Sequence, residues 1–477
     1  MPLNQTPLKR TPLKPLPSRT MSPRTDTLKL EPLSVSESNR RRFLRQGSVL
    51  TAGGVVAAQS LAAPHTVHAA GSDVLRVALI GCGGRGTGAA RQALLADKQV
   101  KLTAMADAFE DRLARSLKSL SASEDIAAKI DVPPERRFVG FDAYEHVMAS
   151  DVDVVLLATP PHFRPIHLKA AIDAGKHVFA EKPVAVDAPG VRSVLATCKE
   201  AAKKNLSVVS GLCLRYDARF QEMVERLGDG AIGKPHTLVA DDYRGPIWVK
   251  RRQPGWTDMH WQMRNWYYFT WLSGDFNVEQ HVHNLDVCAW IMGGYPVKAI
   301  GLGGRQVRTD AIYGNIYDHH SVTYEYENGG WIFSNCRQQP HCRNRIEVKV
   351  AGLEGTAEVS ERRLAIRGKS PWQFRGKVKN MYQVEHDRLF ASIRSGEPIN
   401  NGDYMAKSTL LAIMGRMATY TGQEVTWEQA MKSTEDLSPA RYEWGPAPKI
   451  EIAIPGITRV ASNLDAGPTA PRPRDRV

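Results

Sequence analysis

Three side chains in the middle of the chain have the types and spacing needed for general acid–base chemistry. Glu279, His283 and Asp286 fall at i, i+4 and i+7, so a continuous helix would place all three on one face. Apolar residues recur at helical spacing on the opposite stripe: Val282, Leu285, Ala289 and Met292. An imidazole beside two carboxylates can exchange protons near neutral pH. A structural histidine that is satisfied by a carboxylate would show the same pattern.

A second group of residues has the spacing of a nucleotide-binding loop. The stretch Val77 to Gly86 is typical of a buried strand that runs into a glycine turn of G-x-G-x-x-G form. Its glycines permit a tight turn, a close approach of backbone to a pyrophosphate, and close packing of the following helix. The helix N-terminus then favours negative charge. The predicted nucleotide contacts in this loop are Gly81, Gly83, Gly84, Arg85 and Gly86. A glycine-rich turn without a ligand remains the alternative.

Asp107 bears on which dinucleotide such a loop would hold. It closes the next predicted strand, about 20 residues beyond the glycines. A carboxylate at this position can accept hydrogen bonds from ribose hydroxyls and would repel a 2′-phosphate. The sequence therefore predicts NAD, with NADP less favoured, although Arg112 supplies a cation one helical turn further on.

The elements that must position these residues change in pattern along the chain. Strand and helix patterns first alternate, which predicts a parallel sheet covered on both faces. Strand patterns then predominate, which predicts an open and largely antiparallel sheet. We predict an α/β protein with an N-terminal Rossmann dinucleotide-binding domain and a C-terminal α+β domain with a large, mostly antiparallel open sheet. The predicted divisions are a leader at 1–70, the Rossmann domain at 71–213, the α+β domain at 214–445 and a peripheral tail at 446–477.

One run of sequence links the two candidate sites through a family resemblance. Residues 158–187, ATPPHFRPIHLKAAIDAGKHVFAEKPVAVD, follow the glycine loop and resemble the glucose-fructose oxidoreductase, inositol dehydrogenase and MocA family. In that family the Glu-Lys-Pro element ends the fifth strand. The resemblance implies that Lys182 reaches the nicotinamide and the substrate hydroxyl, and that Glu181 faces the nicotinamide ribose. It also implies cofactor contacts from Thr159, Pro160 and His162.

The same resemblance assigns roles to the acid–base residues. A helix of the family carries an Asp-x-x-x-His-x-x-Asp pattern that faces the nicotinamide. His283 and Asp286 match it, whereas Glu279 stands where an aspartate is usual. The implied roles are proton acceptance by His283, stabilisation of an alkoxide by Lys182, and orientation of the imidazole or binding of a neighbouring hydroxyl by Asp286.

The start of the chain resembles an export signal. Arg40 and Arg41, with Phe43 and Leu44 after them, resemble the twin-arginine motif, and a modest apolar run and small residues ending near Ala70 follow. This resemblance implies export to the periplasm as a folded protein with its cofactor inside. The apolar run is too short and too weak for a stable membrane span.

Charge and cysteine usage exclude two classes of partner. Residues 1–45 carry ten basic residues and three acidic ones, which is more than half of the net charge of +13. The remainder is only mildly basic, so we expect no nucleic-acid partner. We expect no metal site, because the six cysteines lack zinc-site spacing and because His281 and His283 would point apart on a helix. A disulfide between Cys336 and Cys342 remains an open alternative.

These observations together predict an exported, NAD-dependent oxidoreductase. It would transfer a hydride between tightly held nicotinamide and a hydroxyl carbon of a sugar, glycoside or polyol. Half of the ten tryptophans lie within positions 248–271, where they suit sugar rings, a subunit interface or plain core. The resemblance implies a homodimer or homotetramer. Two alternatives remain: a redox-assisted glycosidase or lyase on the same scaffold, and a sugar-binding protein in which NAD is structural.

Overall fold

A computed structural model of the protein describes residues 74–461. The predicted leader at 1–70 lies outside these residues. Between residues 74 and 461, no helix combines the length and the apolar character that crossing a membrane requires.

The first sheet has six parallel strands in the order β3-β2-β1-β4-β5-β6. The strands are β1 (Leu75–Ile80), β2 (Val100–Asp107), β3 (Arg137–Val139), β4 (Val154–Leu157), β5 (His177–Ala180) and β6 (Val208–Ser210). The helices between and after them are α1 (Gly84–Ala96), α2 (Glu110–Ser121), α3 (Ala143–Ala149), α4 (Arg164–Asp173) and α5 (Ala188–Lys203). The chain leaves β1 towards β2 and later returns to the other side of β1 as β4. This change of direction opens a crevice at the carboxyl ends of the strands, where ligands of such folds bind.

The second sheet has nine strands in the order β14-β13-β12-β11-β7-β10-β9-β8-β15. The strands are β7 (Pro235–Arg244), β8 (Lys298–Gly304), β9 (His319–Glu325), β10 (Trp331–Gln338), β11 (Arg345–Gly352), β12 (Gly355–Val359), β13 (Leu364–Gly368), β14 (Trp372–Gln373) and β15 (Val425–Thr426). Within this sheet, as far as the structure describes it, only β7 and β10 pair in parallel, and the other neighbours are antiparallel. The predicted fold class is confirmed.

Eight further helices follow β6 within the described residues. They are α6 (Ala218–Gly228), α7 (Asp258–Arg264), α8 (Thr270–Ser273), α9 (Phe276–Glu279), α10 (Val282–Met292), α11 (Met381–Ser395), α12 (Gly402–Thr421) and α13 (Trp427–Lys432). Of these, α11 packs against α1 of the first layer. Helix α12 is buried on almost all sides and contacts both α5 and β8. It therefore ties the layer that covers the first sheet to the second sheet.

One local prediction differs from the structure, and one alternative that the sequence left open is not present. The continuous helix expected from Glu279 to Met292 is divided into α9 and α10, with Gln280 and His281 between them. Cys336 and Cys342 are both free thiols, the first buried and the second exposed, so the disulfide alternative is not present.

Candidate active site

The glycine loop after β1 forms a cradle that larger residues would fill. Gly81 has a φ of +98°, and a Cβ there would lie 2.5 Å from the backbone carbon of Ala158. A Cβ on Gly86 would overlap the carbonyl oxygen of Gly81. Gly84, at the start of α1, faces open space, and no side chain caps this helix end. The free amides and the helix dipole therefore suit the phosphates of a dinucleotide.

A cleft of about 1110 Å³ lies over this cradle. Its size is slightly above the usual range of about 300–1,000 Å³ for small-molecule sites and suits a nucleotide. Seven of the predicted cofactor residues line it: Gly81, Gly83, Gly84, Arg85, Asp107, Thr159 and Pro160. The cleft thus contains the predicted loop, the end of β2 and the turn after β4.

Asp107 lies at the wall of the cleft and is fixed by two backbone amides. Its Oδ2 accepts from the Cys82 N–H at 2.7 Å and its Oδ1 accepts from the Phe109 N–H at 2.9 Å. Burial raises the pKa of this carboxyl, although both amide bonds act in the opposite direction. Each oxygen retains a further lone pair, so the carboxylate can still accept from ribose hydroxyls.

Four predicted cofactor residues do not line this cleft: Gly86, His162, Glu181 and Lys182. Gly86 packs against the carbonyl oxygen of Gly81 in the turn. His162 is buried against Trp271, with its Nε2 2.8 Å from the Tyr442 hydroxyl, and burial lowers its pKa to about 4. The structure therefore places His162 in a packed aromatic layer outside the cleft.

Glu181 connects the end of β5 to the glycine loop. Its Oε1 lies 2.9 Å from Arg85 Nε, and the Arg85 guanidinium also lies over the Tyr382 ring at 5.1 Å. A Cβ on Gly211 would approach Glu181 Oε2 to 2.7 Å, so the next strand leaves room for this carboxylate. This arrangement holds Arg85 at the cleft and aligns the backbone that precedes Lys182.

Lys182, Glu279 and His283 form what we call the reactive cluster. Lys182 follows β5 and precedes Pro183 through a cis peptide bond. Its Nζ donates to the Glu279 backbone oxygen at 2.6 Å and lies 3.3 Å from Glu279 Oε1. Both side chains are only 12% exposed. The cluster thus joins a cation from the first sheet to a carboxylate from the second half of the chain.

His283 completes the reactive cluster as a neutral imidazole. Burial lowers its pKa well below the ordinary value, and the positive charges of Lys182 and Arg244 lower it further. Asp242 acts in the opposite direction and is itself paired with Arg244. The Nδ1 atom is buried without a hydrogen-bond partner among the described residues. A neutral imidazole has a free ring nitrogen that can accept a proton, although burial and the two cations make it a weaker base.

The structure does not bring Asp286 to the reactive cluster. Its two oxygens accept from Arg215 Nε and Nη2, each at 2.9 Å, and one of them also accepts from the Ser408 hydroxyl at 2.7 Å. The three side chains do not share one continuous helix, because Glu279 ends α9 whereas His283 and Asp286 both lie on α10. His281 is fully buried at this break, with its Nε2 2.8 Å from the Ser334 hydroxyl, and the contacts with Arg215 and Ser408 hold the Asp286 carboxylate.

Sequence reasoning missed two residues of this region. Arg244 ends β7 and acts on His283 through its charge. Tyr267 is buried near Glu279, and its hydroxyl accepts from Gln338 Nε2 at 2.7 Å. The i, i+2 spacing of Asp242 and Arg244 on a strand was the available signal for the first. The tryptophan-rich stretch masked the second, because most of its rings belong to the core.

Comparison with known proteins gives two adjacent family matches. A model described as "Oxidoreductase family, NAD-binding Rossmann fold" matches residues 75–210, and the "GFO/IDH/MocA C-terminal domain" matches residues 220–358. Myo-inositol 2-dehydrogenase of Thermotoga maritima is 23% identical over 335 residues, which are 68% of this chain and 90% of that protein. Inositol 2-dehydrogenase of Rhizobium meliloti is 25% identical over 61% of this chain and 76% of its own length.

Solved structures show the same fold. The aldose-aldose oxidoreductase of Caulobacter crescentus, solved with glycerol, superposes with a TM-score of 0.59 at 21% identity. The superposition covers 74% of this chain and 99% of the Caulobacter protein. A levoglucosan dehydrogenase, solved with NADH and levoglucosan, superposes with a TM-score of 0.57 at 15% identity over 74% of this chain and 99% of its own.

Proposed function

This chain belongs to the GFO/IDH/MocA family of NAD-binding oxidoreductases, and from that premise we propose that it transfers a hydride between tightly held nicotinamide and a hydroxyl carbon of a sugar, glycoside or polyol. One observation carries the proposal. Lys182 of the nucleotide half contacts Glu279 of the other half, its charge acts on the buried His283, and the preceding Glu181 is paired with Arg85 of the glycine loop.

The residues of the reactive cluster divide the chemistry between them. A bound nicotinamide supplies the acceptor or donor of the hydride. His283 takes the proton of the substrate hydroxyl: its lowered pKa leaves the ring unprotonated at neutral pH and also makes it a weaker base. Lys182 stabilises the negative charge that develops on the oxygen, since a nearby cation is strongly felt in a site with little water. Glu279 holds Lys182 in place through its carboxylate and its backbone oxygen.

Asp286 takes a supporting role in this proposal. Because Arg215 and Ser408 occupy its carboxylate, it anchors α10 beneath His283 instead of bonding to the imidazole. Orientation of His283 then comes from the helix backbone and from the buried His281 that precedes it.

The substrate class is supported by the nature of the relatives. Two of them are named inositol 2-dehydrogenases, and one structural neighbour is named an aldose-aldose oxidoreductase. Trp248, Trp256 and Trp266 line the cleft with partly exposed rings, which suit the apolar faces of a sugar or of a nucleotide base. For the cofactor we propose NAD over NADP, on the basis of the Asp107 carboxylate.

We further propose export and self-association. The twin-arginine pattern around Arg40 supports delivery to the periplasm, where retention of the cofactor would replace exchange with a free pool. The outer face of the second sheet carries exposed apolar side chains: Ile300, Leu302, Trp331 and Phe333. Ile300 and Phe333 lie in one row across β8, β9 and β10. Such a patch on a sheet face supports a homodimer or homotetramer.

Mass spectrometry of nucleotide released from the purified protein tests the central proposal. We expect NAD to be released, and we expect its reduced form to accumulate on the protein when a panel of sugars and polyols is added. A protein that is purified without nucleotide, gains no thermal stability from NAD and reduces none on any sugar would contradict the proposal. Release of an aglycone without net reduction would instead indicate redox-assisted glycoside cleavage.

A further inference from the structure

The dinucleotide cleft has a second wall that comes from outside the nucleotide domain. The first wall is the glycine loop, the end of β2 and one face of α2. The second wall, as we name it, consists of Trp248, Lys250, Trp256, Met263, Arg264 and Trp266. Asp107, which would face the adenosine ribose, lies on the first wall. The second wall therefore borders the same cleft as the nucleotide domain does.

Arg264 makes the direct contact between the two walls. Its Nη2 donates to Asp111 Oδ1 at 2.6 Å, and its guanidinium carbon lies 3.7 Å from the centre of the Phe109 ring. The side chain is only 17% exposed. Trp256 lies next to it, with the Arg264 guanidinium carbon 5.8 Å from its ring centre. A cation stacked on an aromatic ring and paired at one end is held in a defined orientation.

A second arginine lies close to the same ring. The Arg112 guanidinium carbon is 5.5 Å from the Phe109 ring centre, and its Nη1 is 3.9 Å from where a Cβ of Gly83 would stand. Arg112 forms no ion pair within 4 Å with any residue that the structure describes. Burial lowers its pKa, and the charge of Arg264 lowers it further, against the opposing charge of Asp107.

Two guanidinium groups that approach one ring beside a phosphate cradle favour the binding of an anion there. Asp111 pairs with Arg264, and the charge of Asp107 acts on Arg112, but the Asp107 oxygens accept from backbone amides. An adenosine diphosphate group would bring further negative charge to both arginines and a ring for Trp256.

We propose that Arg264 and Trp256 of the second wall are binding residues for the adenosine half of the dinucleotide, with Arg112 and Arg264 together contacting its phosphates. The ligand class is an adenine nucleotide with a pyrophosphate. The dinucleotide is then enclosed from both sides, and it leaves only when the second wall moves away. This inference rests on the proposed function only in taking the ligand to be a nicotinamide dinucleotide.

Binding of NADH and of two of its fragments, ADP-ribose and nicotinamide mononucleotide, tests the proposal without any turnover. The variant is Arg264→Met, which keeps the apolar stem and removes the guanidinium. We expect the dissociation constants of NADH and ADP-ribose to rise by about tenfold or more, as for loss of a charged hydrogen bond. Nicotinamide mononucleotide, which lacks the adenosine half, should bind as before. The NADH dissociation rate, followed by fluorescence on displacement, should rise in parallel.

Arg251→Met is the matched control. Arg251 lies on the same stretch and is exposed, and it does not line the cleft. This variant should bind all three ligands like the parent protein. Equal binding by Arg264→Met and the parent would overturn the proposal, as would an equal loss for nicotinamide mononucleotide.

Asp111→Asn distinguishes two roles of Arg264, direct contact with the ligand and stabilisation of the second wall through its ion pair. It removes the partner of Arg264 but leaves every cation of the cleft in place. We expect NADH to bind at least as tightly as to the parent protein, because Arg264 is freed for phosphate. A loss equal to that of Arg264→Met would show that Arg264 acts only as a brace and would overturn the direct contact. A parent protein that binds no NADH would refute the proposed function itself.

Discussion

Two short stretches supply the reactive cluster, and they differ in what fixes their side chains. Residues 181–183 follow β5 directly, so the central parallel sheet positions them through the backbone. Residues 276–292 form two helices with a break at Gln280 and His281, and their two acidic side chains have different partners. Glu279 turns to Lys182, whereas Asp286 turns to Arg215.

The difference shows how far a local pattern determines a site. A residue at the carboxyl end of a parallel strand is delivered to the sheet edge wherever the chain goes next. A helix-face prediction instead assumes that the helix is continuous. Here a fully buried His281, held by Ser334 of β10, interrupts it. The sheet topology therefore positions the reactive residues of the first stretch, whereas tertiary contacts position those of the second.

The largest effect should come from removing the cation of the first stretch. We expect Lys182→Met to lower kcat by about 10² to 10³, the usual cost of losing a group that stabilises a developing oxyanion. The substitution also removes the partner of Glu279, so it could disturb cofactor binding as well as chemistry. We would therefore measure both the steady-state kcat on the best sugar or polyol and the NADH dissociation constant. The expected change in NADH binding is small.

Lys169→Met is the matched control for this variant. Lys169 is exposed on α4 and pairs with Asp173 within its own helix. Its loss should leave kcat unchanged, since exposed pairs of this kind contribute little. If Lys182→Met kept the kcat of the parent protein, the role of the residues after β5 would have to be reassigned to binding alone.

Asp286→Asn should act on stability more than on chemistry. The carboxylate is buried and pairs with Nε and Nη2 of Arg215, so the change leaves an uncompensated guanidinium. We expect the free energy of unfolding to fall by about 3 kcal/mol, at the lower end for a broken buried pair. Urea unfolding measures this value, and kcat of the folded variant should change by less than that of Lys182→Met.

Asp403→Asn provides the comparison, because Asp403 is exposed and pairs with Lys407 on the surface of α12. It should change the unfolding free energy by less than about 0.5 kcal/mol. A variant of Asp286 that unfolded like the parent protein but lost kcat as Lys182→Met does would restore the single-face prediction for Asp286.

Much of the fold and part of the site could be predicted from the sequence, for reasons that these residues show. Gly81, Gly86 and Asp107 act through local backbone geometry, and their spacing carries that information. The contacts of Asp286 with Arg215 and of Arg264 with Asp111 join residues 71 and 153 positions apart. Neither pair leaves a pattern in a short window of sequence. The site residues that the sequence misplaced or missed are therefore those whose position depends on such distant partners.

The smallest effect should appear in the pH profile of kcat/KM, where both stretches act on one imidazole. Burial, Lys182 and Arg244 all lower the pKa of His283. The imidazole therefore stays neutral below the ordinary histidine range, and the acid limb of the profile should lie below it. Arg244→Gln removes one cation and also frees the charge of Asp242, and both changes favour the protonated imidazole. The acid limb should then move to higher pH.

The lowered pKa of His283 also makes the free energy of unfolding depend on pH in a defined direction. An unfolded histidine binds a proton at about pH 6.5, whereas folded His283 resists it. Its contribution to stability is therefore present above that pH and is lost as the pH falls, and Arg244→Gln should reduce this loss. Arg345→Gln is the control, because Arg345 pairs with Asp241 on the neighbouring strand and does not act on His283. An acid limb that stayed in place in Arg244→Gln and moved in Arg345→Gln would show that the charge on β7 does not set the proton affinity of His283. The reactive cluster would then depend on burial and Lys182 alone.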